Sequence, residues 1–258
     1  MTTVLETEGL ERRFGRLVAV DDVNVKIDGD EVTSIIGPNG AGKTTFYNLL
    51  SGRLKPTAGT AKLLPRDDDE MVTISGREPF EINKLGLSRA FQINNVFEGL
   101  TVSENIRVAR ISKNDRTRDL RSVARGDPQL SDQAREVIDL VDLGGVADTV
   151  CENLSHGDKR KVEIALALGT DPSVVLLDEP TAGMNANETD DMVDLIRGLD
   201  QETDTTFVLT EHDMDVVLGI SDRILVLDNG ELIASGTPDN VMSNERVQEA
   251  YLGGDAGV

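Results

Sequence analysis

The eight residues Gly37-Pro38-Asn39-Gly40-Ala41-Gly42-Lys43-Thr44 constrain this chain more than any other stretch. They follow a β-branched run, Glu31-Val32-Thr33-Ser34-Ile35-Ile36, that reads as a buried strand. They precede Thr45 to Leu50, which read as the first turns of a helix. Strand, glycine loop, helix is the context in which Gly-x-x-x-x-Gly-Lys-Ser/Thr is a phosphate-binding loop. The glycines let the backbone wrap a polyphosphate, and the N–H groups opening the helix point at it with the helix dipole behind them. Lys43 is placed to reach the β- and γ-phosphates, and the Thr44 hydroxyl to ligate Mg²⁺. The competing reading is a glycine-rich turn that binds nothing, and the motifs further along the chain weigh against it.

The flanking patterns predict an α/β architecture. Residues 4 to 36 alternate apolar and polar, as in Val23-Asn24-Val25-Lys26-Ile27, which predicts antiparallel strands leading into the phosphate-loop strand. Pro65-Arg66-Asp67-Asp68-Asp69-Glu70 reads as a solvated turn. From Thr101 to Asp148 the character is helical, with Val137, Ile138 and Val141 on one face of an amphipathic segment from Ala134 to Leu143. The Arg/Asp-rich segment 112 to 128 reads as an exposed loop or a frayed helix end. Ser173-Val174-Val175-Leu176-Leu177 is the continuous apolar run of a parallel strand covered on both faces. A helix over 188 to 200, a buried strand over Thr206 to Thr210, and a hairpin turning at Asp228-Asn229-Gly230 follow. Strands alternating with helices imply a mainly parallel sheet.

Composition narrows the partners. Of 258 residues, 47 are Asp or Glu and 26 are Lys or Arg, a formal net charge of −21. Nucleic acid binding needs a basic face, so it is not expected. Only eight of the basic residues are lysine and large aromatics are few. That combination resembles proteins of extreme halophiles, the alternative being an ordinary protein with one acidic face. At ~1 M salt the Debye length is only ~3 Å, which would remove the long-range repulsion of an anionic nucleotide. No apolar run approaches the ~18 residues of a membrane span, and the start shows no signal-peptide pattern, so a cytoplasmic protein is expected. Cys151 is the single cysteine. It excludes an internal disulfide and reads as a small buried apolar side chain.

Asp178-Glu179 follows the apolar strand directly. After such a strand in a phosphate-loop enzyme, an Asp helps hold Mg²⁺, and Glu179 is placed to orient or deprotonate an attacking water. Upstream lies Leu154-Ser155-His156-Gly157-Asp158, in which Ser155 can cap a helix beginning near Gly157, with Asp158 completing a capping box. Taken with Leu176-Leu177-Asp178-Glu179-Pro180, these residues resemble the ATP-binding-cassette (ABC) ATPases, and the resemblance covers nearly the whole chain. It implies a phosphate-loop (RecA-like) α/β core, about 1–95 and 158–237, with an N-terminal antiparallel β-subdomain. It also implies a helical subdomain of about 96–157 and a C-terminal extension, 238–258. The cofactors implied are ATP and Mg²⁺.

The resemblance also assigns roles. Gly37 to Thr45 bind ATP. Phe14 lies where an aromatic stacks on adenine, although alone it would read as core. Gln92 matches a glutamine that senses Mg²⁺ and the γ-phosphate. Thr44, Gln92 and Asp178 are the metal set, and Glu179, His212, Lys43 and Gln92 the catalytic set. Ser155 and Gly157 are expected to meet the ATP of a second subunit in a head-to-tail dimer. The chain departs from the family at His156, where glycine is common, at Asp158, often Gln or Glu, and at Asn185, often Asp.

Ala182-Gly183-Met184-Asn185, Glu211-His212-Asp213-Met214, Gly219-Ile220-Ser221-Asp222-Arg223 and the ending Val247 to Gly253 are similar to the ATPases of branched-chain amino acid importers. That similarity implies a second ATPase subunit, two permease subunits, an external solute-binding protein and a site at the cytoplasmic face of the membrane. An importer of urea or short-chain amides stays open as the alternative. So do two readings of other classes, a soluble ABC ATPase acting on ribosomes or DNA and a subunit that binds ATP without turnover.

Overall fold

The computed structural model describes residues 2–66, 68–90, 96–113 and 127–252. Strands β1 (Thr3–Phe14) and β2 (Leu17–Asp28) form an antiparallel hairpin. With β4 (Ala58–Leu63) and β5 (Val72–Thr73) they make a four-stranded antiparallel sheet in the order β2-β1-β4-β5. The second sheet contains β3 (Thr33–Ile36), β6 (Leu87–Ala90), β7 (Val174–Asp178), β8 (Thr206–Thr210), β9 (Arg223–Asp228) and β10 (Glu231–Gly236). Its order is β10-β9-β3-β8-β7-β6, parallel throughout except for the closing β9–β10 hairpin. The mainly parallel sheet and the antiparallel N-terminal strands expected from the sequence are both present.

Covering both faces of this sheet explains its continuous apolar strands. Side chains alternate along a strand, so Val175 and Leu177 face one layer while Val174 and Leu176 face the other. The first layer contains α3 (Val102–Lys113), α4 (Pro128–Leu140), α5 (His156–Leu168) and α6 (Ala186–Glu202), contributing Ile106, Ile138, Val162 and Ile196. The second contains α1 (Lys43–Leu50), with Phe46, Tyr47 and Leu50, and the inner face of the antiparallel sheet. Among the described residues four short α-helices remain: α2 (Pro79–Lys84), α7 (Met214–Ile220), α8 (Pro238–Met242) and α9 (Glu245–Leu252).

Three local expectations are corrected. The helix predicted from Ala134 to Leu143 begins earlier, because Asp127 caps Gln129 N–H and Pro128 occupies its first position; it ends at Leu140, with Val141 and Leu143 buried beyond it. The turn at Pro65 to Glu70 is solvated at Asp68 to Glu70, as expected, but not at Arg66. The Arg66 guanidinium donates to the Pro172 carbonyl at 2.6 Å and to Thr205 Oγ1 at 3.0 Å, tying the turn to the main sheet. The helix expected near Gly157 begins at His156 with Ser155 as its cap, as expected, but only half of the capping box forms. Ser155 Oγ accepts from Asp158 N–H at 3.1 Å while its own proton goes to the Asp158 carboxylate at 2.7 Å.

Candidate functional site

The phosphate loop leaves the buried end of β3 and enters α1 with glycine at the two positions where no other residue fits. Gly37 has φ 152°, and a Cβ there would lie 2.1 Å from the Leu227 carbonyl oxygen. Gly42 has φ 102°, and its Cβ would lie 2.3 Å from the Ala19 carbonyl oxygen. The loop is thus pressed between β2 and the end of β9. The β9–β10 tip braces it: Asn229 and Gly230 are both left-handed, as a two-residue hairpin requires, and Gly230 N–H donates to the Ala41 carbonyl at 3.0 Å. No side chain caps α1, so its first N–H groups remain available to an anion.

Lys43 folds back over the loop, donating to the Gly37 carbonyl at 2.6 Å and the Pro38 carbonyl at 3.2 Å. Burial pulls the ammonium below its ordinary range, while the charges of Glu179 and Asp178 act the other way.

The opposite wall comes from the ends of β7 and β8. Asp178 is buried with both oxygens engaged. Oδ2 pairs with Arg89 Nη2 at 2.6 Å, and Oδ1 accepts from the Thr210 hydroxyl at 2.9 Å. Arg89 also donates to Asn48 Oδ1 at 2.8 Å and lies 5.4 Å from the centre of the Tyr47 ring. Glu179 adopts φ 50°, a left-handed conformation that a non-glycine residue holds only when its surroundings impose it. Its Oε1 lies 2.8 Å from His212 Nε2.

Between these walls is a cavity of ≈ 340 Å³. Phe14, Asn39 to Thr45, Asp178, Glu179 and His212, all singled out in the sequence, line it together with Leu17, Ala19 and Thr210. Gly37 and Pro38 serve it through their carbonyls to Lys43. Phe14 is not core: it is 44% exposed at the end of β1, with the Arg12 guanidinium 4.6 Å from its ring centre. Ser155 and Gly157, at the start of α5, do not line this cavity. Gln92 lies outside the described residues.

The sequence assigned no role in the site to Arg89 or to Glu211, the latter noted only within Glu211-His212-Asp213-Met214. Each left a signal: Arg89 is a charge within a buried strand, and Glu211 a charge immediately after one. His156 places its Nε2 3.4 Å from the Ala182 carbonyl. Asn185 caps α6, its Oδ1 accepting from the N–H groups of Asn187 and Glu188. Cys151 is buried as expected, accepts a hydrogen bond from Asn105 Nδ2 at 3.3 Å, and has its thiol pushed up by burial. Among the described residues no helix is long and apolar enough to cross a membrane.

Comparison with known proteins gives concordant matches. Residues 20–182 match the ABC transporter family, and residues 231–257 match a family described as branched-chain amino acid ATP-binding cassette transporter. The chain is 40% identical to the high-affinity branched-chain amino acid transport ATP-binding protein LivG of Escherichia coli (strain K12), over 97% of this chain and 98% of that protein. A crystal structure of the ADP conformation of an ATP-binding cassette of an ABC transporter superposes with a TM-score of 0.84 at 31% identity, covering 98% of this chain and 100% of that one. A dimeric cassette in a post-hydrolysis state bound to ADP and Pi superposes with a TM-score of 0.71 at 25% identity, covering 90% and 98%.

Proposed function

The chain belongs to the ABC transporter family of ATP-binding cassettes and is a transport-coupled ATPase; we propose that it drives import of branched-chain amino acids. The observation that carries the catalytic reading is the convergence of loop, acids and histidine on one cavity. ATP lies with its adenine against Phe14 and its phosphates along residues 37–45, where α1 N–H groups and Lys43 meet their charge. Glu179 accepts the proton of the attacking water or orients it, and His212 contacts the γ-phosphate. The Thr44 hydroxyl and the Asp178 carboxylate are hard oxygen donors of the kind Mg²⁺ takes alongside phosphates, and they would hold it with Gln92. When bound, that ion neutralises charge on the transferred group.

Two such subunits work head to tail, Ser155 and Gly157 of one facing the ATP of the other. The absence of both from their own subunit's cavity supports this arrangement, as does the dimeric relative. The subunits sit at the cytoplasmic face beneath two permease subunits fed by an external solute-binding protein. The C-terminal match and the named relative support the solute. The net charge of −21 supports a protein adapted to molar salt.

Glu179→Gln is expected to cut turnover by ~10²-fold or more while ATP binding persists, the scale of a lost general base. Near-normal phosphate release from that variant would refute the role. The solute is tested by labelled leucine uptake in cells lacking the chain, beside cells carrying Lys43→Ala. Loss in both supports the proposal, and unchanged uptake in both refutes leucine as the cargo.

A further inference from the structure

We propose that Glu211 is a positioning residue whose buried carboxylate laces the segment after Glu179 to the segment before His212. It thereby holds the carboxylate–histidine pair in its strained geometry. The inference rests on the reading of Glu179 as the base.

The parallel pairing of β7 and β8 runs as far as Asp178 opposite Thr210. Beyond that point each chain turns away, Glu179-Pro180-Thr181 on one side and Thr210-Glu211-His212 on the other. Three contacts still cross between them. Glu179 N–H donates to the Thr210 carbonyl at 3.0 Å. Glu211 Oε1 accepts from both Thr181 N–H at 2.9 Å and Thr181 Oγ1 at 2.7 Å. His212 Nε2 meets Glu179 Oε1 at 2.8 Å. The Glu211 side chain therefore does the work of a ladder rung where the backbones have parted. Its second oxygen, Oε2, lies 3.3 Å from its neighbour His212 N–H, which reaches the histidine directly.

Glu211 is 4% exposed and Thr181 is 8% exposed, and neither lines the nucleotide cavity. The carboxylate therefore acts through the residues it holds. Among the described residues it forms no ion pair with a lysine, arginine or histidine. A buried carboxylate is costly unless hydrogen bonds satisfy it, and here they do. What they hold is specific: Glu179 keeps φ 50° only under constraint, and Thr181 is the second residue beyond it. Released, the backbone at Glu179 can relax toward an ordinary conformation, carrying its carboxylate away from His212. Misplacement by ~1 Å costs on the order of 10²-fold in rate.

The test uses the full chain with ATP, comparing Glu211→Ala, Glu211→Gln, Thr181→Val and, in parallel, Glu179→Gln. Glu211→Ala is expected to lose roughly 10-fold or more in kcat, with the KM for ATP within about 2-fold, because the phosphate loop is untouched. Glu211→Gln recovers most of the rate, since its amide oxygen still accepts from both Thr181 donors. Thr181→Val, which removes one donor from the other side, falls between. An unchanged kcat in Glu211→Ala would overturn the clamp. So would kcat falling only in step with the folded fraction, with Glu211→Gln no better than alanine. Should Glu211→Ala fail to fold, wild-type kcat in Thr181→Val overturns it instead. If Glu179→Gln keeps normal turnover, the base reading fails and the inference with it. If Glu179→Gln is inactive while Thr181→Val and Glu211→Ala turn over normally, only the clamp fails.

Discussion

The two walls of the candidate nucleotide cavity are built by opposite means. One is the phosphate loop, made of backbone, contiguous in sequence and electropositive through Lys43 and the opening of α1. The other is made of side chains from strand ends far apart in sequence, and it is acidic: Asp178, Glu179 and, behind them, Glu211. The loop owes its shape to the absence of side chains, at Gly37 and Gly42. The acidic wall owes its shape to side chains that hold one another, Arg89 to Asp178 and Glu211 to Thr181. A backbone-built wall should fail abruptly when an atom is added. A side-chain wall should fail in steps as bonds are removed.

The sharpest way to break this contrast is Gly37→Ala. Its new Cβ would lie 2.1 Å from the Leu227 carbonyl oxygen, so the loop has to move. Loss of measurable ATP binding in a nucleotide-fluorescence titration is expected, and near-normal affinity would show that the loop is not shaped by that glycine. A smaller effect is expected at the other wall. Arg89→Met leaves the Asp178 charge buried without its cation and should cost about 3 kcal/mol in denaturant unfolding, as broken buried pairs do. Adding Asp178→Asn should recover much of that loss, and a double variant as unstable as the single would contradict the pairing. The smallest effect concerns the field around both walls. With a net charge of −21, raising salt from ~0.1 M to ~1 M should speed ATP association several-fold by screening repulsion. An association rate that falls over that range would mean the electropositive loop governs the approach.

The difference between the walls also explains what could be read in the sequence. The loop was legible because its determinants are consecutive: a strand, glycines at fixed offsets and a helix start. Asp178, Glu179 and His212 were legible because each closes an apolar strand, and resemblance to a family supplied their roles. Arg89, Glu211 and the anchoring of Arg66 were not. Each acts on a partner distant in the chain, such as Arg66 on Pro172 and Thr205, and no spacing rule connects them. The start of α5 was right to one residue, and the destination of the Asp158 carboxylate was not, because a rotamer decides it.

Composition and pattern by themselves determined that this chain would make a parallel sheet covered on both faces, with a phosphate loop at the end of one strand. Apolar runs and glycine offsets are local properties, and the hydrophobic effect acts on them wherever the chain turns. Only the tertiary structure decided which acid faces which donor. It put Arg89 against Asp178, Glu211 against Thr181 and His212 against Glu179, because strand order brings β6, β7 and β8 side by side. Those contacts depend on Å-scale distances between chain-distant atoms, and the order in which strands pack sets such distances.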